Sequence, residues 1–189
     1  MIVNYNQILE ENNVLQGPRI ILRPFTLKDT DDVFEFASDP IVTKFLTWDT
    51  ITTKDMAKNI IENIYMKRKG IYAIELKEGN KCVGCIDIRF DSYNNKASFG
   101  YVLNKGYWNK GYMTEAVEMI LALSFNKLKV DRVEACHYVG NDGSGRVMEK
   151  CGMHYEGTCQ GRDLIKGKIL DEKHYAILAH EYLTLEYNL

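Results

Sequence analysis

The hydrophobic residues change their spacing at residues 106–111, where the segment GYWNKG separates a strand-like run from a helical one. Before this segment, apolar runs broken by turns at Gly79-Asn80 and Asn94-Asn95 predict an antiparallel meander. After it, apolar residues recur every three or four positions and predict a helix that begins near Gly111. A strand, a glycine-containing loop and a helix in this order restrict the chain to folds that combine both types of element.

The rest of the chain extends this pattern. Residues 19–25 predict a strand, and Thr26 with Asp29 three positions later forms a capping box that opens a helix to about residue 38. The other predicted elements are a helix at 53–69, strands at 71–77, 81–90, 97–103 and 132–138, a helix at 142–151, and strands at 154–160 and 173–183. This order predicts an α+β fold with a mixed, mostly antiparallel central sheet flanked by helices.

Composition limits the class of protein. The 24 basic and 26 acidic residues give a net charge of −2, which argues against nonspecific nucleic-acid binding. The N-terminus has neither the basic nor the apolar region of a signal peptide, and no apolar run approaches the roughly 18 residues of a membrane-spanning helix. We therefore expect a cytoplasmic protein, monomeric or homodimeric, without nucleic-acid or membrane partners.

The five cysteines are odd in number and scattered, which indicates reduced thiols. Cys82 and Cys85 form a CxxC motif within a strand-like run. Residues three apart on a regular strand point to opposite faces, so these two thiols cannot share a metal unless a bulge intervenes. We expect no metal site.

The glycines of residues 106–111 precede a helix N-terminus, where backbone N–H groups can form an anion site. A tight connection is the alternative reading of such a turn. A second helix start rich in Asn, Gly and Ser, residues 140–145, follows the next strand. Two helix N-termini that flank one strand suit a long phosphorylated ligand at one end and reactive chemistry at the other. Neither GxGxxG nor GxxxxGK[ST] is present, which disfavours a dinucleotide-binding fold or a nucleotide hydrolase.

The segments FGYVLNKGYWNKGYMTEAVEMI and RVEACHYVGNDGSGRVMEKCGM resemble the GNAT superfamily of acetyl-CoA-dependent N-acetyltransferases. Within it they resemble the RimJ/RimL-like branch of ribosomal-protein N-terminal acetyltransferases. The resemblance leaves residues 1–14 as an N-terminal extension and implies one GNAT domain over residues 15–189. It also implies transfer of an acetyl group from acetyl-CoA to a primary amine, either a protein N-terminus or a small molecule, by direct attack in a ternary complex.

The resemblance also implies how the cofactor is bound. The family's pyrophosphate pattern, Gln/Arg-x-x-Gly-x-Gly/Ala, falls on residues 108–113, where Gly111 matches while Trp108 and Met113 depart. Main-chain N–H groups and the helix dipole hold the phosphates, so the two different side chains should weaken phosphate binding little. Met113 is nevertheless expected to narrow the approach of the cofactor. Residues 101–103 match the strand that pairs with pantetheine. The implied cofactor-binding residues are Tyr101, Val102, Leu103, Trp108, Asn109, Lys110, Gly111, Tyr112, Met113, Thr114, Asn141 and Ser144.

The implied reaction needs a base for the amine, a donor for the oxyanion and a proton for the departing thiolate. Asn141 matches the asparagine that orients pantetheine in the family. Many relatives supply the acid from a tyrosine seven residues after that asparagine, but here that residue is Met148, which cannot donate a proton. The resemblance places the acid on Ser144, for which helix capping is the alternative role. It places the base on Asp163, in the loop between the last two strands, where a solvated turn aspartate is the alternative.

Several other interpretations stay open. Asp87 is a second choice for the base, and Ser98 stands where relatives often carry a glutamate. His137 could act as a base near neutral pH, but its place within a strand favours a buried sheet histidine. Trp48 either contacts the acceptor or anchors a loop in the core. Met148 and Ser98 also support a different function, a non-catalytic regulatory module that binds acetyl-CoA.

Overall fold

The computed structural model describes residues 4–186, which fall into two compact units. The first comprises residues 4–87 and 101–116, and the second comprises residues 88–100 and 117–186. The helices are α1 (Tyr5–Glu11), α2 (Thr30–Ala37), α3 (Pro40–Thr43), α4 (Lys54–Ile60), α5 (Tyr112–Ala122), α6 (Asp142–Lys150) and α7 (Ala179–Glu186). The strands are β1 (Leu15–Gln16), β2 (Ile20–Arg23), β3 (Ile71–Leu76), β4 (Cys82–Asp91), β5 (Lys96–Leu103), β6 (Arg132–Tyr138), β7 (His154–Ile165) and β8 (Lys168–Leu178).

In the first unit the strands lie side by side in chain order from β1 to β5. The pairs β1–β2, β2–β3 and β3–β4 are antiparallel. Of these, β3–β4 belongs to the predicted meander, whereas β1 was not predicted. Helices α2 and α4 bury apolar side chains in one core cluster, where Phe36 and Ala57 are fully buried. Burial of a large apolar side chain stabilises the fold by about 1.5–3 kcal/mol.

In the second unit, strand order runs from β5 through β6 and β8 to β7. Strands β5 and β6 are parallel, as a crossover through α5 requires, whereas β6–β8 and β8–β7 are antiparallel. Apolar residues of α5 that recur at helical spacing, Val117, Ile120 and Leu121, are buried. Both units combine helices with mostly antiparallel strands, so the architecture is the predicted α+β type.

Strand β4 departs from regular pairing near its start. The register with β3 shifts between Ile74 and Glu75, and as a result Cys82 lies opposite Glu75 while Gly84 lies opposite Ile74. This irregularity is a bulge of the kind that the sequence-based expectation excepts, and it brings Cys82 and Cys85 into the same core cluster instead of onto the opposite faces of a regular strand.

Burial raises the pKa of the Cys82 thiol to about 12 and that of Cys85 well above its usual value. Protonated, buried thiols fit a packing role better than metal ligation. Within residues 4–186, no group of three or more His, Cys, Asp or Glu side chains is placed to hold a metal ion. Nor is any helix of this described part long and apolar enough to cross a membrane.

The predicted capping box is confirmed. The Thr26 N–H donates to Asp29 Oδ2 over 2.8 Å, although a 3₁₀ turn, Leu27–Asp29, precedes α2 instead of a continuous helix. Arg23 donates to both oxygens of the buried Asp29 carboxylate, over 2.9 and 2.7 Å. Burial alone would raise the pKa of Asp29, but the hydrogen bonds from Arg23 and Thr26 outweigh it and hold that pKa below its usual value.

Other predicted boundaries are wrong. The final strand ends at Leu178, where α7 begins, because Glu181 accepts from the Leu178 N–H over 2.7 Å in the manner of a capping-box glutamate. Strand β7 continues to Ile165 instead of ending at residue 160. The helix predicted at 53–69 is α4 followed by a π-helical turn, Ile61–Tyr65. Two short helices, α1 and α3, were not predicted.

Replacing Asp29 with asparagine should lower the free energy of unfolding by about 2 kcal/mol at pH 7, because Arg23 loses one of its two carboxylate partners and keeps only Glu75. The pKa of Asp29 is depressed in the folded state, so its contribution is present above the usual carboxyl pKa and is lost as pH falls. The difference between parent and variant should therefore shrink in urea unfolding below about pH 4.

The matched control is Asp31→Asn, because Asp31 pairs with Lys54 at the surface and its side chain is 75% exposed. Its unfolding free energy should change by less than about 0.5 kcal/mol. Equal losses for the two variants, or an Asp29→Asn loss that does not vary with pH, would contradict the assignment.

Candidate functional site

The loop that joins β5 to α5, residues 104–111, is fixed by hydrogen bonds from its own side chains. The buried Asn104 accepts from the Gly106 N–H through its side-chain oxygen over 2.9 Å. The indole N–H of Trp108 donates to the Leu103 carbonyl over 2.7 Å. These bonds fix the backbone ahead of the helix.

The loop enters α5 through two residues in the left-handed region, Asn109 with φ +59° and Gly111 with φ +82°. A Cβ on Gly111 would lie 3.2 Å from Arg19 Nη2, so glycine fits this position for both conformation and space. The first intrahelical bond joins the Glu115 N–H to the Gly111 carbonyl over 3.1 Å. The N–H groups of a helix's first turn have no intrahelical acceptor, and with the positive end of the helix dipole they can bind an anion.

The two departures from the family pattern have separate structural roles. Trp108 anchors the loop through its indole, as described. Met113 is only 5% exposed, so most of its side chain packs inside the protein, and its expected narrowing of the cofactor approach stays a prediction. Both residues are compatible with a backbone anion site at Gly111.

Residues 101–103 form the end of β5. A Cβ on Gly84 would lie 2.3 Å from the Val102 carbonyl oxygen, so glycine permits a close approach of β4 to β5. The parallel pairing of β5 with β6 runs from Lys96↔Arg132 to Ser98↔Glu134, whereas β5 itself extends to Leu103.

Two further residues considered from the sequence lie in the first unit. Trp48 packs against the apolar core cluster, which supports the loop-anchor interpretation. Asp87 lies opposite Ile71 in the β3–β4 pairing. Its charge contributes, after burial, to a raised pKa of Tyr65 and of Cys85, which places the carboxylate near those core side chains.

Helix α6 begins directly after Asn141, its N-cap residue. Ser144 is the third residue of the helix, half-buried, with its N–H donated to the Asn141 carbonyl over 3.0 Å. The structure therefore places Ser144 inside the first turn rather than at the capping position. Met148 is 1% exposed and belongs to the core of the second unit.

His137 is buried beneath the start of α6. Its ring stacks on Tyr175 with centroids 5.6 Å apart, and Nδ1 lies 3.0 Å from the Tyr138 carbonyl oxygen. A Cβ on Gly145 would lie 2.7 Å from His137 Nε2, so glycine at this position lets the helix pack on the ring. The prediction of a buried sheet histidine is confirmed.

Asp163 lies on β7 opposite Leu170, half-buried, so the expectation of a loop or solvated turn is wrong because β7 runs through it. Its Oδ2 accepts from the Tyr138 hydroxyl over 3.0 Å. Burial, together with the Asp163 carboxylate, raises the pKa of Tyr138 to about 12. Sequence reasoning missed Tyr138, although its place at the end of β6, three residues before Asn141, was a usable signal.

Further ionisable side chains share this face of the sheet. Tyr138 lies opposite Glu172, and Cys136 lies opposite His174, so all four side chains project to one side. Glu172 is buried, and its Oε2 is 3.0 Å from His174 Nε2. Burial and the Glu172 carboxylate raise the pKa of Cys136 to about 12. Asp163 therefore lies on a sheet face lined by other ionisable side chains.

Comparison with known proteins identifies the class of enzyme to which a chain with this fold and this glycine-containing turn belongs. The acetyltransferase (GNAT) domain model matches residues 19–154. The chain therefore belongs to the GNAT family and is an N-acetyltransferase.

Individual relatives agree with the family match. The chain is 32% identical over 167 residues to the "Uncharacterized N-acetyltransferase YnaD" of Bacillus subtilis (strain 168), an alignment that covers 87% of this chain and 96% of the relative. It is similar to the acetyltransferase (GNAT family) crystal structure from Bacillus anthracis, with a TM-score of 0.81, 30% identity, and coverage of 88% and 99%. It shares its fold with the microcin C7 self immunity acetyltransferase MccE, solved in complex with acetyl-CoA and AMP, with a TM-score of 0.76, 20% identity, and coverage of 86% and 93%.

The Gly145→Ala variant should lose about 2 kcal/mol of unfolding free energy, because its new methyl group overlaps the His137 ring. Gly143→Ala is the matched control on the same helical turn, where the nearest atom, Arg146 Nη2, would be 3.9 Å from the new Cβ. That variant should gain about 0.5–1 kcal/mol, since alanine replaces glycine in an open helical site. Urea unfolding measures both, and effects of the same sign would contradict the packing described here.

Proposed function

We propose that the protein transfers the acetyl group of acetyl-CoA to a primary amine, by direct attack of the amine in a ternary complex. The observation that carries the proposal is the turn at Gly111, a residue with φ +82° beside Arg19, which leads into the N-terminus of α5. The backbone N–H groups there have no intrahelical acceptor. Family membership supports the acetyl transfer, and MccE, of the same fold, was crystallised with acetyl-CoA.

In this proposal the backbone holds the cofactor. The N–H groups of Gly111 and of the residues that follow it bind the pyrophosphate. The backbone of residues 101–103 pairs with the pantetheine arm, and Asn141 orients that arm. The chain carries 24 basic and 26 acidic residues, so it has no excess of positive charge to hold an anion by itself. Main-chain N–H donors at a helix N-terminus can bind an anion without an excess of basic side chains.

Bound acetyl-CoA supplies an activated acyl group in its thioester. The amine nitrogen must lose a proton as it bonds to the acyl carbon, and the sulfur must gain one as its bond to that carbon breaks. We propose Asp163 as the acceptor of the amine proton, directly or through water, with the Tyr138 hydroxyl holding the carboxylate in place. We propose the Ser144 hydroxyl as the donor to the departing sulfur.

The acceptor proposed is a protein N-terminus or a small-molecule amine, because the motifs resemble the RimJ/RimL-like branch. The competing proposal of a non-catalytic module rests on Met148 and Ser98, whereas family membership and the hydroxyl of Ser144 favour the enzyme. A cytoplasmic location, a monomer or homodimer, and a single domain over residues 15–189 remain predictions.

Thiol release from acetyl-CoA should be measured with peptides beginning in Ala, Ser or Met and with a panel of small amines and antibiotics. Ser144→Ala and Asp163→Asn should each lower kcat by about 100-fold with little change in KM for acetyl-CoA, because each removes one proton-transfer group. Ser92→Ala, at an exposed serine, is the matched control and should keep parental kinetics.

If both variants released thiol as fast as the parent, the two roles would be wrong. A parent that binds acetyl-CoA yet acetylates no amine in the panel would favour the regulatory module.

The proposed anion site at Gly111 can be tested separately with Gly111→Ala and Gly79→Ala. The two glycines have nearly equal φ angles, +82° and +81°, so both variants should lose about 1 kcal/mol of stability from left-handed backbone strain. A Cβ on Gly79 would meet no atom of the described residues within 4 Å. Only Gly111→Ala should weaken CoA binding in calorimetry, by about tenfold or more. Equal CoA affinities in the two variants would contradict an anion site at Gly111.

A further inference from the structure

We propose that Arg19, immediately before β2, is a positioning residue that holds residues 109–111 in the conformation that binds phosphate. It thereby sets the preference for CoA over pantetheine, which carries no phosphate. This inference rests on the proposed function and adds a residue that contacts the turn only through side-chain bonds.

Arg19 lies against three consecutive residues, Lys110 and Gly111 of the turn and Tyr112 at the start of α5. Its Nη1 donates to the Lys110 carbonyl over 2.9 Å. Its Nη2 lies 3.2 Å from where a Cβ on Gly111 would be, and its guanidinium carbon lies 4.8 Å from the centre of the Tyr112 ring. One side chain therefore spans the entry into α5.

The guanidinium is oriented by Glu115, one turn further along the helix. Arg19 Nε donates to Glu115 Oε2 over 2.8 Å. Glu115 Oε1 accepts from the Arg19 N–H over 2.8 Å and from the Ile20 N–H over 3.1 Å. The Glu115 side chain is only 8% exposed, and three donors compensate its burial. Both main chain and side chain of Arg19 are thus fixed by one carboxylate.

The bond to the Lys110 carbonyl has a direct consequence for the anion site. The Lys110 carbonyl and the Gly111 N–H belong to one planar trans peptide unit, so they point in opposite directions. Arg19 holds the carbonyl on its own side, which aims the Gly111 N–H away from the arginine. Asn109 is a non-glycine residue at positive φ, and the bond from Arg19 to the next residue helps to hold the turn in this conformation.

The positive charge of Arg19 also favours phosphate binding at the turn. A carboxylate in the first turn of a helix competes with an incoming anion for the positive end of the dipole. Arg19 pairs with Glu115, so the pair is neutral and its charge does not oppose phosphate.

The experiment compares Arg19→Gln with Arg23→Gln. Arg23 lies on β2 and makes ion pairs with Asp29 and Glu75, over 2.7 and 2.6 Å, so it controls for the loss of an arginine from this part of the chain. Calorimetry on the full chain should show CoA binding about tenfold weaker in Arg19→Gln, with pantetheine binding unchanged. Arg23→Gln should lose stability and keep the parental ratio of CoA to pantetheine affinity.

Two further readouts separate positioning from general stability. Without CoA, backbone amides of residues 109–113 should exchange hydrogen faster in Arg19→Gln than in the parent, and Arg23→Gln should match the parent there. Arg19→Lys keeps the positive charge but replaces the planar fork with one nitrogen, which cannot occupy the positions of both Nε and Nη1, so its CoA affinity should stay below the parental value.

An unchanged affinity ratio in Arg19→Gln, or full parental affinity in Arg19→Lys, would overturn the positioning role while leaving the proposed function intact. A parent that binds no CoA would overturn both.

Discussion

The buried carboxylate of Glu115 is the interaction on which the proposed cofactor site depends. It accepts two backbone N–H groups from the start of β2 and one from the Arg19 side chain, joining residues 96 positions apart in the chain. Because a desolvated carboxylate is costly unless fully hydrogen-bonded, the segment before β2 and the first turn of α5 hold a fixed relation. Gly111 can then keep its left-handed conformation beside the arginine.

In the second unit, the start of a helix is positioned by packing against a histidine ring. Helix α6 can begin over the sheet only because Gly145 leaves room for the His137 ring, and this fixes where Ser144 lies in the first turn. Tyr138 ends the same strand that carries His137, and its hydroxyl binds Asp163 on β7. The groups proposed for proton transfer are therefore positioned by strands and a helix terminus rather than by mobile loops.

The features that could be predicted from the sequence are those set by residues close together in the chain. The capping box at Asp29 and the helix start at Gly111 follow from residues a few positions apart, and both agree with the structure. The displacement of Cys82 by a register shift, the place of Asp163 within a strand, and the contact of Arg19 with the turn depend on partners far along the chain. Periodicity and capping patterns carry no information about such partners, so those features required the structure.

Hydrogen exchange of the parent with and without CoA tests the central claim most directly, because it locates the cofactor without assuming an acceptor. We expect CoA to slow the exchange of backbone amides in residues 109–114, where the pyrophosphate is proposed to bind, and in residues 101–103, where pantetheine is proposed to pair. Pantetheine alone should protect only the second segment. Protection confined to other parts of the chain, or none at saturating CoA, would contradict the account.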